Sequence, residues 1–382
     1  MINFEDFNQE YQPLVIDNGS GMIKAGFAGD DAPRSIFPSI SIKPRFYNPL
    51  ITNEKPKFLG GDEPQINREI MKINYPLENG IISNWDDMEK IWHNVFYNEL
   101  RVSPEEHPVL LTQIPFNPNS NKEKTAQIMF ETFNVPGFYI ANDLCLSIFL
   151  SGKETGIVID LGDSISHSGV VYQLNILPHS VQRINFGGKH LTEYLTKIVN
   201  EKGFSFTSKL SDVEIIKDLK EKFCYVALDF EEEMVLEKQN IEKIQKNYEL
   251  LDGKFIQVSN ERFKIPEILF NPNLLGLETY GIHNSIYKSI MSCDLELHDS
   301  LFDNIVLSGG SSMFPGIEER LQKEFSFLVK NQNFQIVSPS ERKYSVWIGG
   351  SILASLSTFR NSWILKEEYE ENGIKIIYQK LN

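Results

Sequence analysis

Cysteine is scarce in this chain: Cys145, Cys224 and Cys293 are the only three in 382 residues. They lie far apart, with no CxxC pair and no neighbouring histidine cluster. That excludes a disulfide framework and a cysteine-based zinc site, and fits a reducing compartment. Positive charge is also short. With 37 Lys+Arg against 52 Asp+Glu, the formal net charge is −15, which argues against an electrostatic footprint for DNA, RNA or anionic lipid, local basic patches aside. A phosphate ligand would have to be held by backbone amides, a metal and a few chosen cations. No apolar run reaches the roughly 18 residues of a membrane span. The opening MINFEDFNQEYQ has neither the basic start nor the apolar stretch of a secretory signal. These absences lead to the expectation of a soluble intracellular protein.

What is present is material for large cores: 41% of the residues are hydrophobic and 12% aromatic. At roughly 100 to 200 residues per domain, the length suggests two or three domains.

One pattern occurs twice. Leu14-Val15-Ile16 leads into Asp17-Asn18-Gly19-Ser20-Gly21, and Met22-Ile23-Lys24-Ala25-Gly26-Phe27 resumes a strand cadence. Downstream, Ile157-Val158-Ile159 leads into Asp160-Leu161-Gly162-Asp163-Ser164, and a second strand runs from Ile165 to Tyr172. Both copies read Val-Ile-Asp-x-Gly, with a further glycine at Gly26 and Gly169. Two hairpins of the same type, each opening a long segment, predict a duplicated domain whose halves face each other.

Between and after the copies, helical spacing marks Trp85 to Phe96 with Asn84 as its cap, Thr125 to Phe133, Asp143 to Leu150, and a long amphipathic helix from Asp212 to Glu233. Residues 41 to 60, with Pro44, Pro49 and Pro56, read as an exposed, mobile excursion. Asp252-Gly253 marks a hairpin, and Gly187-Gly188 precedes a helix. Ile305-Val306-Leu307 reads as a strand followed by Gly309-Gly310 and a helix from about Pro315. Gly349-Gly350 lies in a last core helix. Each Gly-Gly pair has two readings, close backbone approach to a ligand or a plain turn or helix contact.

An aspartate leaving a buried strand beside a turn rich in glycine and hydroxyls suits a hydrated Mg²⁺, with the turn amides on phosphate oxygens. Two such turns would clamp a polyphosphate. Asp17 and Asp160 are then the metal carboxylates, acting mainly through water, and Lys24 is a cation for the β- or γ-phosphate.

At these residues the chain resembles actin. The stretches Asp17 to Met22, Lys24 to Arg34, Asn84 to Trp92, Phe96 to Val102, Gln127 to Asn134, Cys224 to Glu231 and Glu341 to Phe359 carry the resemblance. It implies an α/β, duplicated ribonuclease H-like fold of the actin, sugar kinase and chaperone ATPase type, with two lobes and four subdomains around a nucleotide cleft. The implied division is a leader 1–12; subdomain 1 in 13–38, 76–150 and 343–382; subdomain 2 in 39–75; subdomain 3 in 151–186 and 277–342; and subdomain 4 in 187–276. The resemblance also implies ATP/ADP with Mg²⁺ (or Ca²⁺), slow hydrolysis, head-to-tail filaments, a cytoplasmic cytoskeletal location, and other actin subunits and actin-binding proteins as partners.

Carried over position by position, Gly19, Ser20, Gly21, Met22 and Lys24 resemble the first phosphate loop. Asp160, Gly162, Asp163, Ser164 and Ile165 resemble the second. Gly188, Lys220, Glu221, Gly310, Ser311, Met313, Phe314 and Lys343 match positions around the sugar and base, and Lys217 stands where actin has an arginine. His167 matches a water-organising residue. The stretch 270–283 resembles the plug that joins filament strands.

The departures fall on functional positions. Asp143 stands where actin has the glutamine that positions the attacking water. A carboxylate there can serve as general base, yet it adds negative charge beside the nucleotide and competes for the metal. The expectation is slowed hydrolysis, with a tolerated amide-to-acid change as its alternative. Ser164 replaces a glycine: it is strained if the backbone there needs positive φ, and otherwise offers a hydroxyl to phosphate. Asn79 replaces the family's modified histidine, and Gln113 a glutamate. The loop 46–57 lacks the family's glycine and methionine pattern, and Leu174-Asn175 replaces Gly-Tyr on the receiving side of that contact.

The leading expectation is an actin-like ATPase that polymerises. A nonpolymerising actin-related subunit of a larger complex, and a kinase of the same fold, stand as alternatives.

Overall fold

The run Leu14–Asn18 buries Leu14, Val15 and Ile16 completely, as a strand covered on both faces should. It pairs antiparallel with Met22–Phe27 and parallel with Val109–Gln113. In the computed structural model, which describes residues 12–44, 71–250, 252–330 and 332–381, these strands belong to the first of two compact units. That unit takes in the described residues up to Glu154, Gln173–Ile176, and those from Tyr344 onward. Its sheet runs Ile364–Leu365, Gly137–Asn142, Val109–Gln113, Leu14–Asn18, Met22–Phe27, Ser35–Pro38.

The second unit, Thr155–Tyr172 with Leu177–Lys343, repeats this order. Ile336–Val337 lies parallel to Ile305–Ser308, which lies parallel to Gly156–Leu161. Gly156–Leu161 then pairs antiparallel with Ser166–Tyr172, and that strand with Gln182–Ile184. Five strands therefore recur with the same order and directions, so the repeated Val-Ile-Asp-x-Gly pattern marks a duplicated α/β unit.

Each unit has its own core. In the first, Leu14, Ile16, Met88, Ile91, Trp92 and Phe96 pack with Phe130 and Phe138. In the second, Ile157, Ile159, Leu195, Ile286, Leu307 and Phe325 are all fully buried. The helix Trp85–Asn94 starts at Asn84, whose side chain accepts the Asp87 amide at 3.1 Å, and its buried face is the one its spacing predicts. Among the described residues no helix is long and apolar enough to cross a membrane.

Four expectations change. Residues 41–44 are not part of an excursion: Ser41–Pro44 is a strand paired with Met71–Asn74, and the rest of that stretch, including 46–57, lies outside the described residues. The helix expected from Thr125 begins at Asn119 and winds into a wider turn over Ile128–Thr132. The one expected from Asp143 is α-helical only to Ser147, then tightens over Ile148–Ser151.

The long helix expected over 212–233 is two helices, Leu210–Phe223 and Phe230–Gln239. Between them, the Tyr225 amide donates to the Arg262 carbonyl at 2.9 Å and the Val226 amide to that of Pro315 at 2.8 Å. Asp229 then caps the second helix through the amides of Glu231 and Glu232. Distant carbonyls outcompete the helical ones, and no amphipathic pattern reports them.

Candidate functional site

In the first unit, Asp17 stands where the buried strand reaches the turn, itself only 5% exposed. Its Oδ1 accepts the Thr112 hydroxyl at 2.7 Å, and its Oδ2 the Lys24 ammonium at 2.7 Å. Thr112 Oγ1 in turn accepts the Asn18 amide at 3.0 Å, and Asn18 Oδ1 accepts the indole of Trp92 at 3.1 Å. The turn needs glycine at its apex: a Cβ on Gly19 would lie 2.6 Å from the Met22 carbonyl oxygen. Ser20, Gly21 and Met22 follow, half-buried, so hydroxyl, amides and ammonium sit together beside one fixed carboxylate.

The second unit builds the same relationship. Asp160 Oδ1 accepts the Ser308 hydroxyl at 2.7 Å, and His167, 2% exposed, stands opposite Asp160 across the hairpin. The Gly162 amide closes the turn on the Ile165 carbonyl at 3.1 Å.

Three glycine-bearing segments then meet. The amides of Gly188 and Lys189 donate to the carbonyls of Gly162 and Asp163 at 3.0 and 2.8 Å. The Ser311 hydroxyl also reaches the Gly162 carbonyl, at 3.0 Å. A Cβ on Gly188 would lie 2.8 Å from Ser311 Oγ and 3.3 Å from Asp163 Oδ1, so a side chain there would displace the Ser311 hydroxyl. Gly309, at φ +88°, would press a Cβ to 2.5 Å from the Leu161 carbonyl.

Lys220, almost wholly buried, donates to the Gly188 carbonyl at 2.8 Å and to Thr192 Oγ1 at 2.9 Å. Burial pulls its ammonium below the ordinary lysine range, against the charges of Asp163 and Glu221, while Lys217 adds to the lowering. Lys217 and Glu221 thus both act electrostatically on Lys220.

The remaining predicted residues are more dispersed. Gly310 and Met313 are exposed, and Phe314 packs into the core of the second unit. Lys343 lies in the tight turn Arg342–Tyr344. Asp143 belongs to the first unit, where its Oδ1 accepts the Leu144 amide at 2.7 Å. Asp160 and His167 belong to the second. Cys145 offers no nucleophile: burial, with the Asp143 charge, pushes its thiol up to about 12, and burial does the same to Cys224.

Sequence reasoning missed Thr112, Ser308 and Arg342. The first two close Val109-Leu110-Leu111-Thr112 and Ile305-Val306-Leu307-Ser308, a third match between the halves that could have found them. Arg342 braces the Gly309 turn, its guanidinium donating to the Ser312 carbonyl at 3.1 and 3.2 Å while its own carbonyl accepts the Gly309 amide.

Gly309 lies at the turn, whereas Gly349 and Gly350 are helix contacts, a Cβ on Gly349 falling 1.9 Å from the Leu146 carbonyl oxygen. Two aspartate turns on duplicated sheets are what the resemblance implies, and the family model for actin matches residues 8–382: the chain belongs to the actin family.

Proposed function

We propose that this protein is an actin-like cytoskeletal ATPase, which binds ATP with a divalent cation, hydrolyses it slowly and assembles into filaments in the cytoplasm. The observation that carries the reading is the pair of turns at Asp17 and Asp160, each with its carboxylate held by a hydroxyl from the neighbouring parallel strand at 2.7 Å.

The residues fit a nucleotide. Gly19 leaves no room for a side chain, and one on Gly188 would displace the Ser311 hydroxyl; the amides and cations nearby offset negative charge in a chain that is otherwise acidic. On this reading, Ser20, Lys24 and the two turns hold phosphate oxygens. Gly188, Lys217, Lys220, Glu221, Gly310, Ser311, Met313, Phe314 and Lys343 surround sugar and base. Asp17 and Asp160 hold the cation through water. The cation, when bound, neutralises charge on the β- and γ-phosphate oxygens. Asp143 and His167 flank the attacking water, the Asp143 carboxylate adding negative charge beside the nucleotide that slows the attack. The four-subdomain division belongs to the same reading.

One observation favours the alternative of a nonpolymerising subunit. Gln173 and Leu174 both adopt positive φ, +49° and +62°, at the turn where the family pattern has Gly-Tyr. Each costs roughly 1–2 kcal/mol relative to a right-handed backbone, so this turn carries strain at a place where its residues also depart from the family pattern.

Sedimentation with Mg-ATP and salt separates the readings. A pellet that forms with nucleotide supports the ATPase filament. Tight ATP retention without a pellet supports the subunit, and absence of nucleotide binding overturns both.

A further inference from the structure

Ser164 stands in the second turn at a position where the family pattern has glycine, and the backbone there needs no glycine. The non-glycine residues at positive φ among those described are Asn79, Arg101, Phe116, Asn134, Gln173 and Leu174, and Ser164 is not one of them. Its side chain is therefore carried without backbone strain. The residue is 8% exposed, and its hydroxyl is buried with no hydrogen-bond partner among the described residues.

The rest of the turn is committed. The Gly162 carbonyl accepts from Gly188 and Ser311, the Asp163 carbonyl from Lys189, and the Ile165 carbonyl from Gly162. Its donors are not: among the described residues the amides of Asp163, Ser164 and Ile165 donate to no carbonyl. Three successive amides with one hydroxyl are a donor set lacking an acceptor, which is what an anionic oxygen supplies.

We propose that Ser164 is a phosphate ligand, donating its hydroxyl to an oxygen of the nucleotide's polyphosphate that is also held by the amides of this turn. The inference rests on the nucleotide-binding reading and adds to it a side-chain donor that glycine cannot supply. Its consequence is linkage to nucleotide state. A hydroxyl satisfied only by phosphate stabilises the loaded protein and burdens the unloaded one.

The test is calorimetric titration of the whole protein with Mg-ATP and Mg-ADP, beside its Ser164→Ala and Ser164→Gly variants, with thermal unfolding of each in the absence of nucleotide. The expected result is a loss of about tenfold in affinity for at least one nucleotide in both variants, with the unloaded Ser164→Ala protein melting at or above the wild-type midpoint. Equal affinities in wild type and both variants overturn the role of Ser164 and leave nucleotide binding standing. Absence of binding by the wild type overturns both. Should Ser164→Ala fail to fold, the glycine variant, which restores the family residue, carries the comparison alone.

Discussion

Thr112 donates its hydroxyl to Asp17 at 2.7 Å across 95 residues of sequence, while accepting the amide of Asn18. A single hydroxyl thus fixes both the carboxylate and the backbone beside it. Thr112→Val keeps the shape and removes both bonds. Hydrogen bonds to charged groups contribute about 1.5–3 kcal/mol, and a loss of that size is expected in denaturant unfolding, together with weaker divalent-cation affinity. An unfolding midpoint equal to wild type would sink the assignment. Ser308→Ala should behave alike in the second unit.

The glycine pairs should respond differently to one added methyl. At Gly349 a Cβ meets the Leu146 carbonyl oxygen at 1.9 Å, whereas at Gly310 nothing lies within 4 Å. Gly349→Ala is expected to cost at least about 1–3 kcal/mol through overpacking, and Gly310→Ala to leave thermal stability within about 0.5 kcal/mol. Equal melting temperatures for the two variants would show that the helix contact yields freely.

Acid should weaken one contact in the second unit. The Glu261 carboxylate accepts the Lys202 ammonium at 2.7 Å and the Ser259 amide at 2.8 Å. Burial acts to raise its pKa, but these partners outweigh burial and hold it below the ordinary 4.5. A depressed carboxyl adds stability above its unfolded value that disappears as pH falls through the folded one. The stability gap between wild type and Glu261→Gln should therefore be wide at neutral pH and narrow below about pH 4.5. A gap constant from pH 7 to 3 contradicts the ion pair.

Asp143 tests the departure from the family. Its carboxylate is held by the Leu144 amide at 2.7 Å, on a segment that Gly349 lets the last core helix approach. Restoring the family amide, Asp143→Gln, is expected to speed phosphate release roughly tenfold, a change of about 1.4 kcal/mol in the barrier. Unchanged or slower release in single-turnover assays discards slowed hydrolysis as the role of this aspartate.

Much of the fold was legible because its signals are local. The hairpin at Asp17, the cap at Asn84, the Asp252-Gly253 turn and the glycine ahead of the helix Gly188–Glu201 each depend on a few adjacent residues. The break after Phe223 was hidden because its cause, carbonyls of Arg262 and Pro315, lies far along the chain. Asp229, a readable cap, was the one local clue.

By itself the sequence determined the family, the duplication and the two aspartate turns, since repeated strand patterns and turn glycines are written in consecutive residues. Only the tertiary structure decided what the scarce cations and hydroxyls do. Thr112 and Ser308 hold the aspartates, Arg342 braces a glycine turn, and Ser164 is unstrained, its hydroxyl without a partner among the described residues. The reason is physical: φ at one residue, and the acceptor a hydroxyl meets, are set by neighbours that come together only when the sheets pair.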